Sequence, residues 1–315
     1  MDNNTQPYLS LHLGHDKGAH GARTVVAGEV LWDCFPDSRR LGGAPLNFAF
    51  FLQRLQHRPL LVSAVGTDAP GTDARAAIAA LGLDATFVRS TDRYQTGRAT
   101  VRLGPGDETS FTIDRPAAYD AIDLSAADTR HLAEWNPAWF YYGTLYPSSV
   151  CGREVLHALL GALPEAFRFY DVNLRPGFES PELVLELLQA ADVVKLNERE
   201  LSLVAQWCEL PSSLEDFCRE GARHFQWRAA AVTLGARGCA MLVDDHYVEA
   251  PGLVVDMVDP VGAGDAFAAA FMHGIVSNWP VADIARFANR AGALVACTRG
   301  AIPDLPPQPA SPVTP

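Results

Sequence analysis

The chain has 315 residues, 48% of them hydrophobic, enough to bury a full core in one large α/β domain or in a domain with an appendage. Its 37 acidic and 25 basic residues give a net charge of −12, which repels nucleic acid and acidic membranes, and no local basic patch offsets it. No uninterrupted run of about 18 apolar residues occurs, no basic-then-apolar leader opens the chain, and the six cysteines are scattered with no C-x-x-C pair; the expectation is a cytoplasmic protein with reduced thiols and neither membrane nor nucleic-acid partners.

Residues 1 to 22 lack apolar periodicity and predict a mobile tail. A strand over 24–30 (TVVAGEV), a helix over 45–57, a strand over 59–65 (PLLVSAV) and a helix over 71–81 follow. From Thr96 to Tyr119 the residues alternate as in half-exposed strands, with Gly104-Pro105-Gly106-Asp107 at the turn, and predict a hairpin that leaves the main sheet. An isolated hairpin is marginal, so its apolar face (Ala99, Val101, Leu103, Phe111, Ile113) needs cover. Together with about 33–43 it is expected to form a small β lid over a ligand, and a homodimer through that lid would bury its other side.

Strands over 138–142, 167–172, 191–196, 229–234 and 239–243 then alternate with helices over 150–162, 181–190, 198–208, 213–225, 264–277 and 281–297. This order predicts an α/β fold of three αβα layers around a mainly parallel sheet, covering residues 23–306. Six prolines between Pro303 and Pro315 exclude helix or central strand there, and 307–315 is expected to be a Pro-rich tail.

The sharpest chemical signal is Asp259-Pro260-Val261-Gly262-Ala263-Gly264-Asp265 ahead of the helical run AFAAAFMHGI. Small residues before a helix leave backbone N–H groups uncovered, and the helix N-terminus favours an anion. A carboxylate beside such a cradle suits a base that takes the proton of an attacking hydroxyl. A glycine-rich turn with an Asp favourable to the helix dipole has the same spelling. Neither G-x-x-x-x-G-K-[ST] nor G-x-G-x-x-G is present. Asn197 followed by Glu200 is the spelling of a capping box and equally of a carboxylate that organises Mg²⁺.

The segment DPVGAGDAFAAAF resembles the C-terminal signature of the ribokinase-like (PfkB) carbohydrate kinases. Gly42-Gly43-Ala44-Pro45-Leu46-Asn47-Phe48-Ala49, continuing through Val65-Gly66-Thr67-Asp68-Ala69-Pro70-Gly71, is similar to their N-terminal one. Two signatures in the right order extend the likeness from about Val25 to Pro306, and GEVLWD with the short FPDSRRLGGAPLNFA looks most like the fructokinase branch.

The resemblance implies ATP-dependent phosphorylation of a primary hydroxyl of a small sugar, with fructose first and ribose or a sugar acid such as 2-keto-3-deoxygluconate as alternatives. It implies Asp265 as catalytic base, the amides of Gly262, Ala263 and Gly264 as an anion hole, and Arg175 of Asp171-x-Asn173-x-Arg175 near the phosphates. Asp33, Gly42, Gly43 and Asn47 are implied as sugar contacts. Asn173, Asn197, Thr233, Gly235, Gly238, Gly264 and Asn289 are implied around ATP, Glu200 at Mg²⁺ through water, and Asp259 at a monovalent cation such as K⁺. Pro260 and Val261 replace hydroxylated residues frequent in that family, so side-chain ligands for that cation are missing. A sugar acid would need an Arg facing its carboxylate, and Arg98, Arg102, Arg115 and Arg175 are the choices. A nicotinamide oxidoreductase and a non-catalytic sugar-binding relative are the readings from other classes; the missing dinucleotide fingerprint speaks against the first, and Asp265 with both signature turns against the second.

Overall fold

The computed structural model describes residues 21–103 and 109–303. Strand β1 (Arg23–Ala27) enters the main sheet, and β2 (Leu31–Cys34) and β3 (Arg39–Gly42) leave it at once. Helix α1 (Ala44–Arg54) returns the chain to β4 (Arg58–Gly66), and α2 (Ala69–Ala80) leads to β5 (Val88–Thr91). Strands β6 (Gly97–Leu103) and β7 (Thr109–Asp114) depart again. Then come α3 (Ala126–Glu134), β8 (Trp139–Gly143), α4 (Val150–Ala162), β9 (Phe167–Asp171), α5 (Pro181–Gln189), β10 (Val193–Asn197), α6 (Glu198–Trp207), α7 (Leu214–Phe225) and β11 (Ala229–Thr233). The hairpin β12 (Gly238–Val243) and β13 (His246–Pro251) precedes α8 (Ala263–Val276) and α9 (Val281–Ala296).

The main sheet runs β13-β12-β11-β10-β9-β8-β1-β4-β5, parallel from β11 to β5 and antiparallel at β12 and β13. Strands covered on both faces read as nearly continuous apolar runs, as β11 (AAAVT) does. Successive residues face opposite layers: Val25 and Ala27 join the core under α4 to α7, whereas Val26 joins that under α1, α2, α8 and α9. Helix α8 is buried almost all round, and its alanines let α1 and α9 pack closely against it.

The strand expected over 24–30 ends at Ala27: the chain turns at Gly28, and β2 then enters a second sheet ordered β3-β2-β6-β7, within which the expected lid segment of about 33–43 falls. The expected hairpin is therefore half of a four-stranded sheet, with β6 parallel to β2. Ala99 and Ile113 pack with Leu31, Ala117 and Tyr119 beneath it. Gly21 and Ala22 are hydrogen-bonded to Gln56 and Arg58, while the remainder of the expected N-terminal tail and the Pro-rich tail lie outside the described residues. Among the described residues no helix is long and apolar enough to cross a membrane.

Candidate active site

Strand β1 has β4 on one side and β8 on the other, so the chain's connections diverge there, and a crevice opens at the carboxyl ends of the strands. A cleft of about 870 Å³ occupies it. Its floor is built by Glu29 after β1, by Asn173, Leu174 and Arg175 after β9, by Lys195 and Asn197 of β10 and by Thr233 of β11. The N-terminus of α8 supplies Gly262, Gly264 and Asp265, and the small sheet supplies Leu31, Asp33, Ala99, Thr112 and Ile113 as a roof.

Asp265 stands in the first turn of α8, and Asn47 on α1 donates from Nδ2 to its Oδ2 at 2.8 Å. Burial raises the Asp265 carboxyl to about 6, Asp171 adds to the rise, and Lys195 and the Asn47 bond oppose it. A carboxylate so poised accepts a proton more readily than an exposed one. Gly262 caps α8 at φ 83, and a Cβ there would lie 2.5 Å from the Ala301 Cα, so only glycine fits. Of the three amides expected as an anion hole, that of Ala263 donates to the Pro260 carbonyl at 3.2 Å, and Ala263 is not among the cleft-lining residues; Gly262 and Gly264 are.

Lys195 has no counterpart among the residues singled out from the sequence. Its Nζ donates to both oxygens of Asp171, at 2.9 and 3.2 Å, and lies 3.2 Å from the point where a Gly264 Cβ would stand. Burial alone would lower the Lys195 ammonium, but Asp171 and then Glu200 outweigh it and hold the group above its ordinary value. Asp171 also accepts from the Tyr141 hydroxyl at 3.2 Å, which helps a fully buried carboxylate tolerate its loss of water. A lysine inside the apolar run VVKLN was the available signal.

Glu200 is the reciprocal partner of Asn197: the Glu200 N–H donates to Asn197 Oδ1 at 2.9 Å, and the Asn197 N–H donates to Glu200 Oε2 at 2.8 Å. Its other oxygen accepts from the Leu174 N–H at 2.9 Å, so the carboxylate caps α6 and fastens the β9 loop. Each oxygen keeps a second lone pair, and both Asn197 and Glu200 line the cleft, an arrangement that fits a Mg²⁺ held through water.

Under the small sheet, burial raises Asp33 to about 6; Arg175 and Arg40 pull it down, and Asp265 and Asp259 push it up. Burial likewise raises Glu29 to about 7, against its own backbone hydrogen bond and Arg175, and with Asp265 adding to the rise. Glu29, too, escaped the sequence reading; its signal was an acid directly after Gly28 at the end of an apolar strand. Asn47, expected on the sugar, spends its amide nitrogen on Asp265, and its buried Oδ1 has no partner among the described residues.

Other expected residues stand apart from the cleft. Thr233 lines it, but Gly235 and Gly238 do not; Gly238 packs its α-carbon against the Ala250 carbonyl. Asn289, expected beside the adenine, donates instead to the carbonyls of Ala250 and Pro251 at 3.2 and 3.1 Å, tying α9 to β13. Asp259 accepts from the N–H groups of Val261 and Gly300, at 3.1 and 2.8 Å, with Arg40 3.6 Å away. Each oxygen keeps a second lone pair, and a monovalent cation there would share the carboxylate with the Arg40 guanidinium. Arg115 is taken by Asp120, the Leu145 carbonyl and Ser148; Arg98 is exposed on the side of β6 opposite Ala99; Arg175 lines the cleft and, among the described residues, donates only to its neighbour's carbonyl at 3.3 Å.

An αβα sheet whose carboxyl-end crevice meets a glycine-capped helix and a buried carboxylate is the architecture of a small-molecule phosphotransferase. The chain belongs to the pfkB family carbohydrate kinases, whose family model matches residues 22–308. It is similar to a fructokinase of Escherichia coli, 30% identical over 90% of this chain and 96% of that protein. The fold is that of a fructokinase from Vibrio cholerae O395 described in fructose, ADP and calcium ion bound form, with TM-score 0.75, 24% identity and coverage of 89% of this chain and 94% of that one. It is also that of a fructokinase with bound ATP from Xylella fastidiosa, with TM-score 0.75, 24% identity and coverage of 89% and 95%.

Proposed function

We propose that the protein transfers the γ-phosphoryl group of ATP to a primary hydroxyl of a neutral sugar, fructose being the first choice. The observation that carries this reading is the buried Asp265, clasped by Asn47 at the glycine-capped start of α8 inside the cleft. Asp265 takes the proton as the hydroxyl oxygen bonds to phosphorus, the bond between phosphorus and the β,γ-bridging oxygen breaks, and ADP leaves. Because that transition state is loose, positioning and charge neutralisation supply most of the rate. The N-terminus of α8 and Lys195 face the charge that develops on the phosphoryl oxygens, and Arg175 and Arg199 are further cations of the wall. Glu200 would hold, through water, the Mg²⁺ that accompanies ATP and neutralises its phosphates. The small sheet acts as a lid that keeps water, a competing acceptor, from the phosphoryl group.

A neutral sugar is preferred to a sugar acid because three acids, Glu29, Asp33 and Asp265, share the cleft with Arg175, which the phosphates of ATP would claim, whereas Arg115 is taken by Asp120 and Arg98 is exposed. ATP consumption assayed with fructose, ribose, adenosine and 2-keto-3-deoxygluconate tests the reading: the highest kcat/KM is expected for fructose, and a best rate with the acid would overturn it.

A further inference from the structure

Asp259 staples the turn that opens α8 to the chain that follows α9. Its Oδ1 accepts from the Val261 N–H at 3.1 Å and its Oδ2 from the Gly300 N–H at 2.8 Å, while the Ala296 carbonyl accepts from the N–H groups of Val258 and Asp259. Ala301, the next residue, packs against Gly262 of the same turn. These bonds bring N–H dipoles to the carboxylate but no full positive charge. That charge comes from the roof of the cleft. Arg40 of β3 stands opposite Asp33 of β2 in the ladder, so the two share a face of the small sheet, and Arg40 Nη1 reaches to 3.6 Å from Asp259 Oδ2.

The path of the guanidinium is shaped by its neighbours. Gly300, at φ 82, leaves room for it: a Cβ there would stand 2.8 Å from Arg40 Nη1 and 2.9 Å from its Cδ. The Phe35 ring lies 5.3 Å from the guanidinium carbon. Arg39 goes the other way, to Asp73 of α2 and over the Trp32 ring. Adjacent arginines of one short strand thus fasten the roof at two places, Arg39 to α2 and Arg40 to the turn before α8. A monovalent cation on the remaining lone pair of Asp259 Oδ2 would meet the like charge of that guanidinium at short range.

Resting on the kinase reading given above, we propose that Arg40 is a positioning residue: it is the built-in cation of Asp259, taking the place of a monovalent ion, and it ties the order of the turn before α8 to the seating of the roof. The guanidinium travels with the roof, so opening withdraws the charge from Asp259 and closure restores it. A sugar that seats the roof therefore tightens ATP binding, and ATP tightens sugar binding by the same factor. The two side chains are 38% and 17% exposed, which limits the effect to about fivefold in an equilibrium constant.

The test measures melting temperature and the calorimetric affinity for the β,γ-methylene analogue of ATP with Mg²⁺, in KCl and in choline chloride at equal ionic strength. Wild type, Arg40→Met and Arg40→Lys are compared, each with and without the best sugar acceptor. Wild type should melt at the same temperature and bind the analogue equally in both salts, and the sugar should tighten the analogue by about fivefold. Arg40→Met keeps the stem and loses the charge; the tightening should vanish, and K⁺ should now raise both melting temperature and affinity above their values in choline. Arg40→Lys should stay as indifferent to K⁺ as wild type. A side chain that merely supports the roof would lower the melting temperature of Arg40→Met equally in both salts, and that result overturns the proposal. Stabilisation of wild type by K⁺ over choline overturns it too, and that measurement needs no variant to fold. Melting requires neither sugar nor turnover, so the two readings fail separately: wild-type inactivity toward every acceptor overturns the kinase reading, and Arg40 then stands or falls on the salt response alone.

Discussion

Replacing Asp265 by Asn separates chemistry from architecture, because the amide keeps the size of the carboxyl and can still accept from Asn47. Losing a general base costs about 10²–10⁴-fold in kcat. ATP affinity should be nearly unchanged, since the nucleotide is expected against β10, β11 and α6 rather than on this side chain. Stability should move the other way. Burial raises the folded-state pKa from 3.8 to about 6, so between those values the folded protein binds more protons than the unfolded chain, and stability falls as pH rises through them. Above pH 6 the ionised form costs the fold about 3 kcal/mol, a cost absent when both states are protonated below pH 3.8. Asp265→Asn is thus expected to melt at or above wild type at pH 8, with the difference closing toward pH 4. Single-turnover and steady-state rates with fructose, together with melts across that range, check both halves. A variant within threefold of wild-type kcat would refute the assignment of the base.

Asp33→Ala should raise the KM for the sugar by about ten- to a hundred-fold through lost charge-assisted hydrogen bonds and spare that for ATP, as full kinetics on both substrates would reveal. Lys195→Met leaves Asp171 buried without its cation and should cost about 3–5 kcal/mol in urea unfolding, while adding Asp171→Asn should recover most of that loss; additive losses in the double variant would mean that the pair is not coupled. Gly262→Ala drives a Cβ to within 2.5 Å of the Ala301 Cα at φ 83, and should cost about 1–3 kcal/mol and, by displacing the first turn of α8, about 10² in kcat; retention of both wild-type values would show that the turn yields.

The parallel strands and their helices were legible because burial on both faces writes long apolar runs, and helix α4 falls on its expected span, 150–162. Helix α3 was not, since only Leu132 of its nine residues is buried and the periodic signal is correspondingly thin. Strands β2 and β3 were legible only as a lid segment of about 33–43, and the strand expected over 24–30 ran past the end of β1, because nothing local says that the chain changes sheets after Gly28. In the site, Asp265, Asp33 and Asn47 stand inside recognisable motifs, and the structure brings them to one cleft. Glu29 and Lys195 escaped because a single charge in an apolar run declares burial without declaring its neighbours. Asn289 is the opposite case: a polar residue on a helix was assigned to a ligand by the resemblance, and what the geometry displays is its amide nitrogen on the backbone of β13. For Asn197 and Glu200 the cap is what the geometry displays, and a role at Mg²⁺ has to coexist with it.

The bond between Asn47 and Asp265 spans 218 positions of the chain. Neither half of the polypeptide therefore contains a working site: the residue that orients the base is made early in synthesis, and the base itself nearly last. Such distant pairs form late, after the intervening sheet has closed the loop between them. Enzymatic activity in this protein is accordingly a report on completed folding, and during refolding it should return with the slowest tertiary phase rather than with the secondary structure. The same bond ties α1 to α8 as one block, so an altered sugar preference is more readily reached through β2, β6 and β7 of the roof than through the helices beneath, where any shift would carry the base with it.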